Sequence, residues 1–188
     1  MHMIIKAIVY AENKEDALGK ARTVFEGLTR EGRTFDYYQM FDKSSGNFSG
    51  DGRWGEMSNC VLASSKEGRE FIGEGMRWTY EEFKEHLEEV KAAINAYPAH
   101  VLFEERCKSA KSGSDEKLDL SLFRFKCYKL GQYSGDAIYL YDGEGSGIRS
   151  FRHLKDVLSK YADSYEKRGK KNPYENLLVW VVPADVHY

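Results

Sequence analysis

Among the residues able to do chemistry, the densest group is a glycine-rich stretch, Asp142-Gly143-Glu144-Gly145-Ser146-Gly147, set between a strand-like and a helix-like segment. Phosphate cradles occupy such positions, because backbone N–H groups and the helix dipole favour an anion. Arg149, Ser150, Arg152 and His153 follow directly and could add charge, a hydroxyl and an imidazole. The spacing is neither that of a dinucleotide fingerprint nor that of a Walker loop. Asp142 and Glu144 would also repel a phosphate, so a connector is the simpler expectation.

Two further pairs, Arg53-Trp54 (with Glu56 just beyond) and Arg77-Trp78, set a cation beside an indole. Exposed clusters of this kind are enriched at binding surfaces, although Trp also packs in cores. Trp54 is the better candidate because it ends a long Gly/Ser loop, residues 43–55, of a length that is usually functional or disordered. The candidate binding residues are therefore Trp54, Glu56, Arg77, Trp78, Arg149, Arg152 and His153.

Glu82, His86 and Glu89 share a helical face at i, i+4, i+7 spacing, which could suit a metal. His86 is a lone imidazole, however, and a run of acids is more simply a solvated face. Asp185-Val186-His187 is also ligand-like, with equally thin support. Cys60 could act as a nucleophile only with a histidine close in space, and a buried Cys is usually a small hydrophobe. No GxSxG, HExxH or paired-carboxylate motif stands out. No catalytic residue, metal site or cofactor is predicted.

Composition narrows the classes. The chain has 188 residues, 41% hydrophobic and 31% charged, which reads as globular. A net charge of −2 lacks the footprint of non-specific nucleic-acid binding. Tyr37, Tyr38, Tyr139 and Tyr141 beside Lys170 and Lys171 are all that favours single-strand binding. The 13 Tyr and 10 Phe more simply suit half-wet sheet faces. No stretch approaches the roughly 18 apolar residues of a membrane span. The first residues lead straight into a strand and lack a signal-peptide pattern. Three widely spaced cysteines form no CxxC, so reduced thiols and a cytoplasmic location are the default.

The elements that must position these residues alternate in type. Ile4–Ala11 reads as a strand. Asn13 caps a helix with Ala17, Leu18, Ala21, Val24, Phe25 and Leu28 on one face and Gly32 as its stop. Thr34–Phe41 and Glu56–Ser64 read as strands. Residues 65–78 are ambiguous: a short helix could begin there, but Gly68, Gly73 and Gly75 break it up. Thr79 and Glu82 form a capping box for a helix burying Phe83, Leu87, Val90, Ile94 and Tyr97, ended by Pro98.

His100–Glu105 reads as a short strand, and Leu118–Leu130 as a long one whose apolar alternation changes phase between Leu122 and Phe123. A turn at residues 132–135 makes a hairpin with Asp136–Asp142. Phe151, Leu154, Val157, Leu158, Tyr161 and Tyr165 mark a third helix ending at Gly169. Leu177–Val182 is a continuous apolar run, as in a strand buried on both faces, stopped by Pro183.

The order β-α-β-β-α-β followed by β-β-α-β predicts an α+β fold. Its first half resembles the ferredoxin-like βαββαβ topology and is extended by a ββαβ unit, in a mostly antiparallel or mixed sheet with helices packed on it. The expected lobes are 1–106 and 118–188, joined by a polar linker at 107–117. Function classes follow in order. The first is a non-catalytic binding or interaction module, self-associating through exposed strand edges, with a small-molecule or protein partner. Next come a small-molecule enzyme with loop 43–55 as its lid, and single-strand nucleic-acid binding, against which the charge balance argues.

Overall fold

The structure is a computed structural model that describes residues 1–30, 34–41, 51–103, 120–132, 134–135 and 137–187. Gly32 and the linker expected at 107–117 lie outside the described residues. The elements, in chain order, are β1 (His2–Ala11), α1 (Lys14–Leu28), β2 (Tyr37–Met40), α2 (Asp51–Trp54), β3 (Val61–Leu62), α3 (Lys66–Ala96), α4 (Ala99–Phe103), α5 (Leu120–Gly131), β4 (Leu140–Tyr141), α6 (Phe151–Leu158), α7 (Ala162–Lys167) and β5 (Leu178–His187). The fold is mixed α+β around one open mixed sheet. The chain forms two compact units, one made of Met1–Trp78 with Ile138–Tyr188 and the other of Thr79–Ala137.

The sheet belongs to the first unit. Its order is β2-β5-β1-β4, with β3 also paired to β5. β1 and β5 are antiparallel over ten residue pairs, from His2 opposite His187 to Ala11 opposite Leu178. β4 runs parallel to β1. A ferredoxin-like half would need its own fourth strand near 100–105, but Ala99–Phe103 is helical. β1 instead pairs with strands from the second half of the sequence, so the expected ferredoxin-like order is not the one found.

Alternation along β1 sends its side chains to two helical layers. Ile8 and Tyr10 join Ile72 and Met76 of α3, Val157 of α6, Leu140, Ile148 and Val181 in one buried cluster. α1 packs on β1 and β5 and buries Ala17, Ala21, Val24, Phe25 and Leu28, as its periodicity predicts. The Asn13 side chain accepts from the Asp16 backbone N–H at 3.0 Å, the predicted cap.

Several elements depart from expectation, each for a physical reason. Pro183 does not stop β5. It lies opposite Lys6, whose N–H turns away to the Tyr139 carbonyl at 2.9 Å. The pair is therefore not hydrogen-bonded, and the absent proline donor faces the gap between β2, which covers 184–187, and β3, which covers 180–181. The segment 120–131 is a helix. The phase change that a strand would need a bulge to explain is ordinary for a 3.6-residue period. Among the described residues no hairpin forms, and of the strand expected at 136–142 they show Leu140–Tyr141. Glu56–Ser64 likewise contributes only Val61–Leu62.

α3 begins thirteen residues before Thr79, capped by Ser65, whose Oγ accepts from the Gly68 N–H at 2.9 Å. Thr79 is buried in mid-helix, and Ile94, expected inside, is 54% exposed. Two of the glycines that seemed to interrupt α3 permit close approach instead. A Cβ on Gly68 would lie 2.0 Å from the Leu62 carbonyl oxygen, and one on Gly75 would lie 2.7 Å from the Leu140 side chain. In the second unit, Lys126 of α5 pairs with Glu89 of α3.

Lys6 is a charged residue wholly inside the sheet–helix layer. Its Nζ donates to Glu74 Oε2 at 2.9 Å and lies 4.7 Å above the Trp78 ring centroid and 5.6 Å from that of Phe71. Burial pushes its pKa below the ordinary lysine value, opposed by the Glu74 contact. A lowered lysine pKa means the folded chain binds fewer protons than the unfolded one just below that ordinary value. The destabilisation is therefore full at neutral pH and fades as pH rises towards 10.5.

Two outcomes are expected in denaturant titrations. Lys6→Met should be neutral or stabilising by up to about 2 kcal/mol near pH 7. That advantage should shrink near pH 10, and one that grows with pH would contradict a lowered Lys6 pKa. Gly68→Ala should cost about 1–3 kcal/mol, because a helix must move off a backbone carbonyl.

Candidate functional site

Beyond the Ala11–Leu178 end of the β1–β5 ladder lies a cavity of about 580 Å³. Tyr10 closes β1, the turn after β4 brings Asp142 and Glu144, α7 brings Tyr165 and Arg168, and Tyr174 precedes β5. Tyr161 stands at the corner between α6 and α7.

The walls are phenols in defined contact. Tyr10 and Tyr174 are stacked, with centroids 4.5 Å apart, and Tyr165 meets Tyr174 edge-on at 6.2 Å and 74°. The Tyr10 hydroxyl donates to the Val157 carbonyl at the end of α6. Tyr161 is held in place by an unusual backbone. Lys160 and Tyr161 have φ of 59° and 54°, two left-handed residues in succession, neither of them glycine. Such conformations cost on the order of 1–2 kcal/mol each and persist where the surroundings dictate them. Here the Lys160 ammonium donates to the Glu175 and Leu177 carbonyls, and Asn172 donates to the Lys160 carbonyl.

Asp142 serves both the turn and the cavity. Its Oδ1 accepts from the backbone N–H of Glu144 at 3.0 Å and of Ser146 at 2.8 Å. Its Oδ2 faces the Tyr161 hydroxyl at 3.3 Å and His153 Nε2 at 3.6 Å, and Tyr161 and His153 are themselves 3.4 Å apart. Burial, then neighbouring tyrosines and Asp142, push the Tyr10 phenol well above its ordinary value. Burial followed by Asp142 does the same for Tyr161. The phenols stay protonated and able to donate at neutral pH. Lys20 also lines the cavity, but its ammonium is bonded to the Tyr10 carbonyl at 2.9 Å and to Asp16 at 2.8 Å.

This geometry weighs against a phosphate cradle at residues 142–147. The N–H groups of Glu144 and Ser146 are taken by the Asp142 carboxylate and that of Gly145 by the Asp142 carbonyl, and Gly145, at φ 80°, lets the turn close on itself. The stretch is an ordered turn, bridged from Tyr141 to Gly147, rather than a slack connector.

Of the candidate residues, His153 alone contacts the Asp142 group. Ser150 caps α6 and orients it, accepting from the His153 N–H at 3.1 Å, while Arg149 and Arg152 are exposed nearby. Arg77 is exposed, and Trp78 packs over Lys6 and edge-on to Tyr139. Trp54 and Glu56 are exposed. Arg53 reaches Asp185 at 3.3 Å, and Asp185 also pairs with His2 at 3.1 Å. That group sits at the His2–His187 end of the ladder, opposite the cavity. Loop residues 43–50 lie outside the described residues.

Other expectations resolve locally. His86 is buried, not part of a solvated face, and among the described residues no group of three or more His, Cys, Asp or Glu could hold a metal. Burial pushes the Cys60 thiol up to about 11, consistent with a small hydrophobe. Tyr37 and Tyr38 lie on β2 and Tyr141 on β4, opposite edges of the sheet, so they form no continuous stacking face.

Sequence reading missed Tyr10, Tyr165, Tyr174 and the role of Asp142. Tyr161 and Tyr165 were counted on the apolar face of one long helix, which in fact ends at Leu158 and restarts at Ala162. No glycine or asparagine at 160–161 marks that break.

The whole chain, residues 1–188, matches the family model of a domain of unknown function, DUF7995, and the protein belongs to that family. No curated protein and no solved structure matches it.

Asp142→Ala should destabilise the protein by about 1–3 kcal/mol, because two backbone donors and a phenol lose their acceptor. Asp142→Asn, which keeps an acceptor oxygen, should cost less than half as much. Equal losses in denaturant unfolding would show that the turn does not depend on that oxygen.

Proposed function

We propose that this protein is a small-molecule-binding module with the tyrosine-lined cavity as its ligand site. The carrying observation is the cavity itself. Its volume of about 580 Å³ falls within the range of ligand pockets, roughly 300–1,000 Å³. It combines aromatic walls with a few polar groups, the composition such pockets share. The left-handed Lys160–Tyr161 pair supports the same reading, since backbone strain tends to gather at ligand sites.

A second reading, acid–base catalysis, draws on the Asp142–His153–Tyr161 contacts. A phenol, an imidazole and a carboxylate within 3.3–3.6 Å could move a proton between a ligand and solvent. A lid formed by loop 43–55 has less support. The described end of that loop, α2, reaches Asp185 at the far end of the ladder from the cavity. Self-association through strand edges is also less favoured. β2 has four residues and β4 two, and short edges resist pairing.

The test is a ligand-observed NMR screen of polar and aromatic fragments on the native chain and on Ser164→Trp. Ser164 lines the cavity from the exposed surface of α7, so the indole should fill the space without disturbing the core. Fragment binding is expected to weaken more than about tenfold in the variant while the unfolding curve is unchanged. Equal binding to both chains, or no binding to either, rejects the cavity as a ligand site. Chemical change of a bound fragment over hours would favour the catalytic reading.

A further inference from the structure

We propose that the cavity takes an organic cation, with an alkylammonium group seated against the tyrosine faces beside the Asp142 carboxylate. This rests on the cavity being the ligand site and adds the chemical class of the ligand.

The walls suit a cation. Tyr165 and Tyr174 stand at 74° to one another, so two ring planes meet as a corner, and Tyr10 and Tyr161 add further phenols. Aromatic faces attract ammonium groups through the negative face of the ring, and desolvated sites use this best. Tyr10 is buried and stacked on Tyr174, so it backs the corner, while Tyr161, Tyr165 and Tyr174 are half-buried where they line the cavity.

The charges agree. Asp142 Oδ1 is committed to two backbone donors at 2.8 and 3.0 Å. Among the described residues the contacts of Oδ2 are longer, 3.3 Å to the Tyr161 hydroxyl and 3.6 Å to His153, and Asp142, though buried, lines the cavity. Glu144 adds a second carboxylate at the rim. Two cations also line the cavity. Lys20 is matched by Asp16, and Arg168 is exposed at the surface, where solvent and salt screen it. Glu144 is exposed in the same way as Arg168, so those two offset each other, and the charge an anion would meet unscreened is that of the buried Asp142 carboxylate. A neutral ligand would gain at most a hydrogen bond from a carboxylate.

Calorimetric titration of the full chain with choline, tetramethylammonium and benzyltrimethylammonium tests this. Dimethylbutanol, the neutral carbon isostere of choline, and benzoate serve as counterparts. At least one cation is expected to bind about tenfold tighter than the neutral and anionic probes. Asp142→Asn and the exposed Glu144→Gln should each weaken it about three- to tenfold, and added salt should weaken it further. Cations bound no better than dimethylbutanol or benzoate, no binding by any cation, or binding unchanged in both variants would each overturn the proposal. Fragments that bind the native chain and are lost in Ser164→Trp, but are neutral or anionic, would overturn the cation while leaving the ligand site intact.

Discussion

The first unit depends on one interaction, the ten-residue antiparallel ladder between β1 and β5. It joins the two ends of the chain: the Trp180 indole donates to the Ala11 carbonyl across 169 residues of sequence. Among the described residues, every other strand is attached to one of these two. β2 and β3 hydrogen-bond to β5, and β4 to β1. Such a pairing must overcome the closure entropy of a long loop before any contact repays it. Both strands accordingly carry nearly continuous apolar sequence, and most of their residues are buried.

The ladder also determines where chemistry can occur. Its two ends differ in character. At the His2–His187 end, imidazoles, carboxylates and Tyr37 are tied to one another: His187 bonds to Asp36 at 3.0 Å and stacks on Tyr37, and His2 bonds to Asp185. At the Ala11–Leu178 end the strands open into the cavity, where Tyr10 faces Tyr174 and the Asp142 turn. The left-handed corner at 160–161 serves this second end. It folds α7 back so that Tyr161 lies on Asp142, and the Lys160 bonds to the strand leading into β5 hold it there. Local strain is balanced by contacts from Asn172, Glu175 and Leu177, in the segment that leads into β5.

Charge inside the protein is handled in two ways. Lys6 is wholly buried and satisfied by one carboxylate and two aromatic rings. Asp142 is half satisfied by its own turn and half turned towards a cavity. A buried charge whose partners are complete is structural. One with acceptor capacity left over beside open space is a candidate for binding.

Much of this was legible in the sequence, and the limits have physical causes. The Asn13 cap, the apolar stripe of α1 and the buried character of IIKAIVYA and LLVWVV follow from local periodicity and hydrogen-bonding rules, which need only neighbours along the chain. His153 stood out because it follows a glycine-rich stretch at the start of a helix-like segment. The sequence therefore determined the α1 and α6 starts, the central strands and the mixed α+β class. Pairing, register and the cavity were decided by tertiary structure. Pro183 is tolerated because β1 fixes which edge of β5 its nitrogen faces, and Gly68 sits in a helix because a carbonyl from β3 comes against it. Segment 120–131 is a helix although its residue types suit a strand. Tyr10, Tyr161, Tyr165 and Tyr174 are up to 164 positions apart in the chain, and no local pattern can announce that four ordinary tyrosines will share one space.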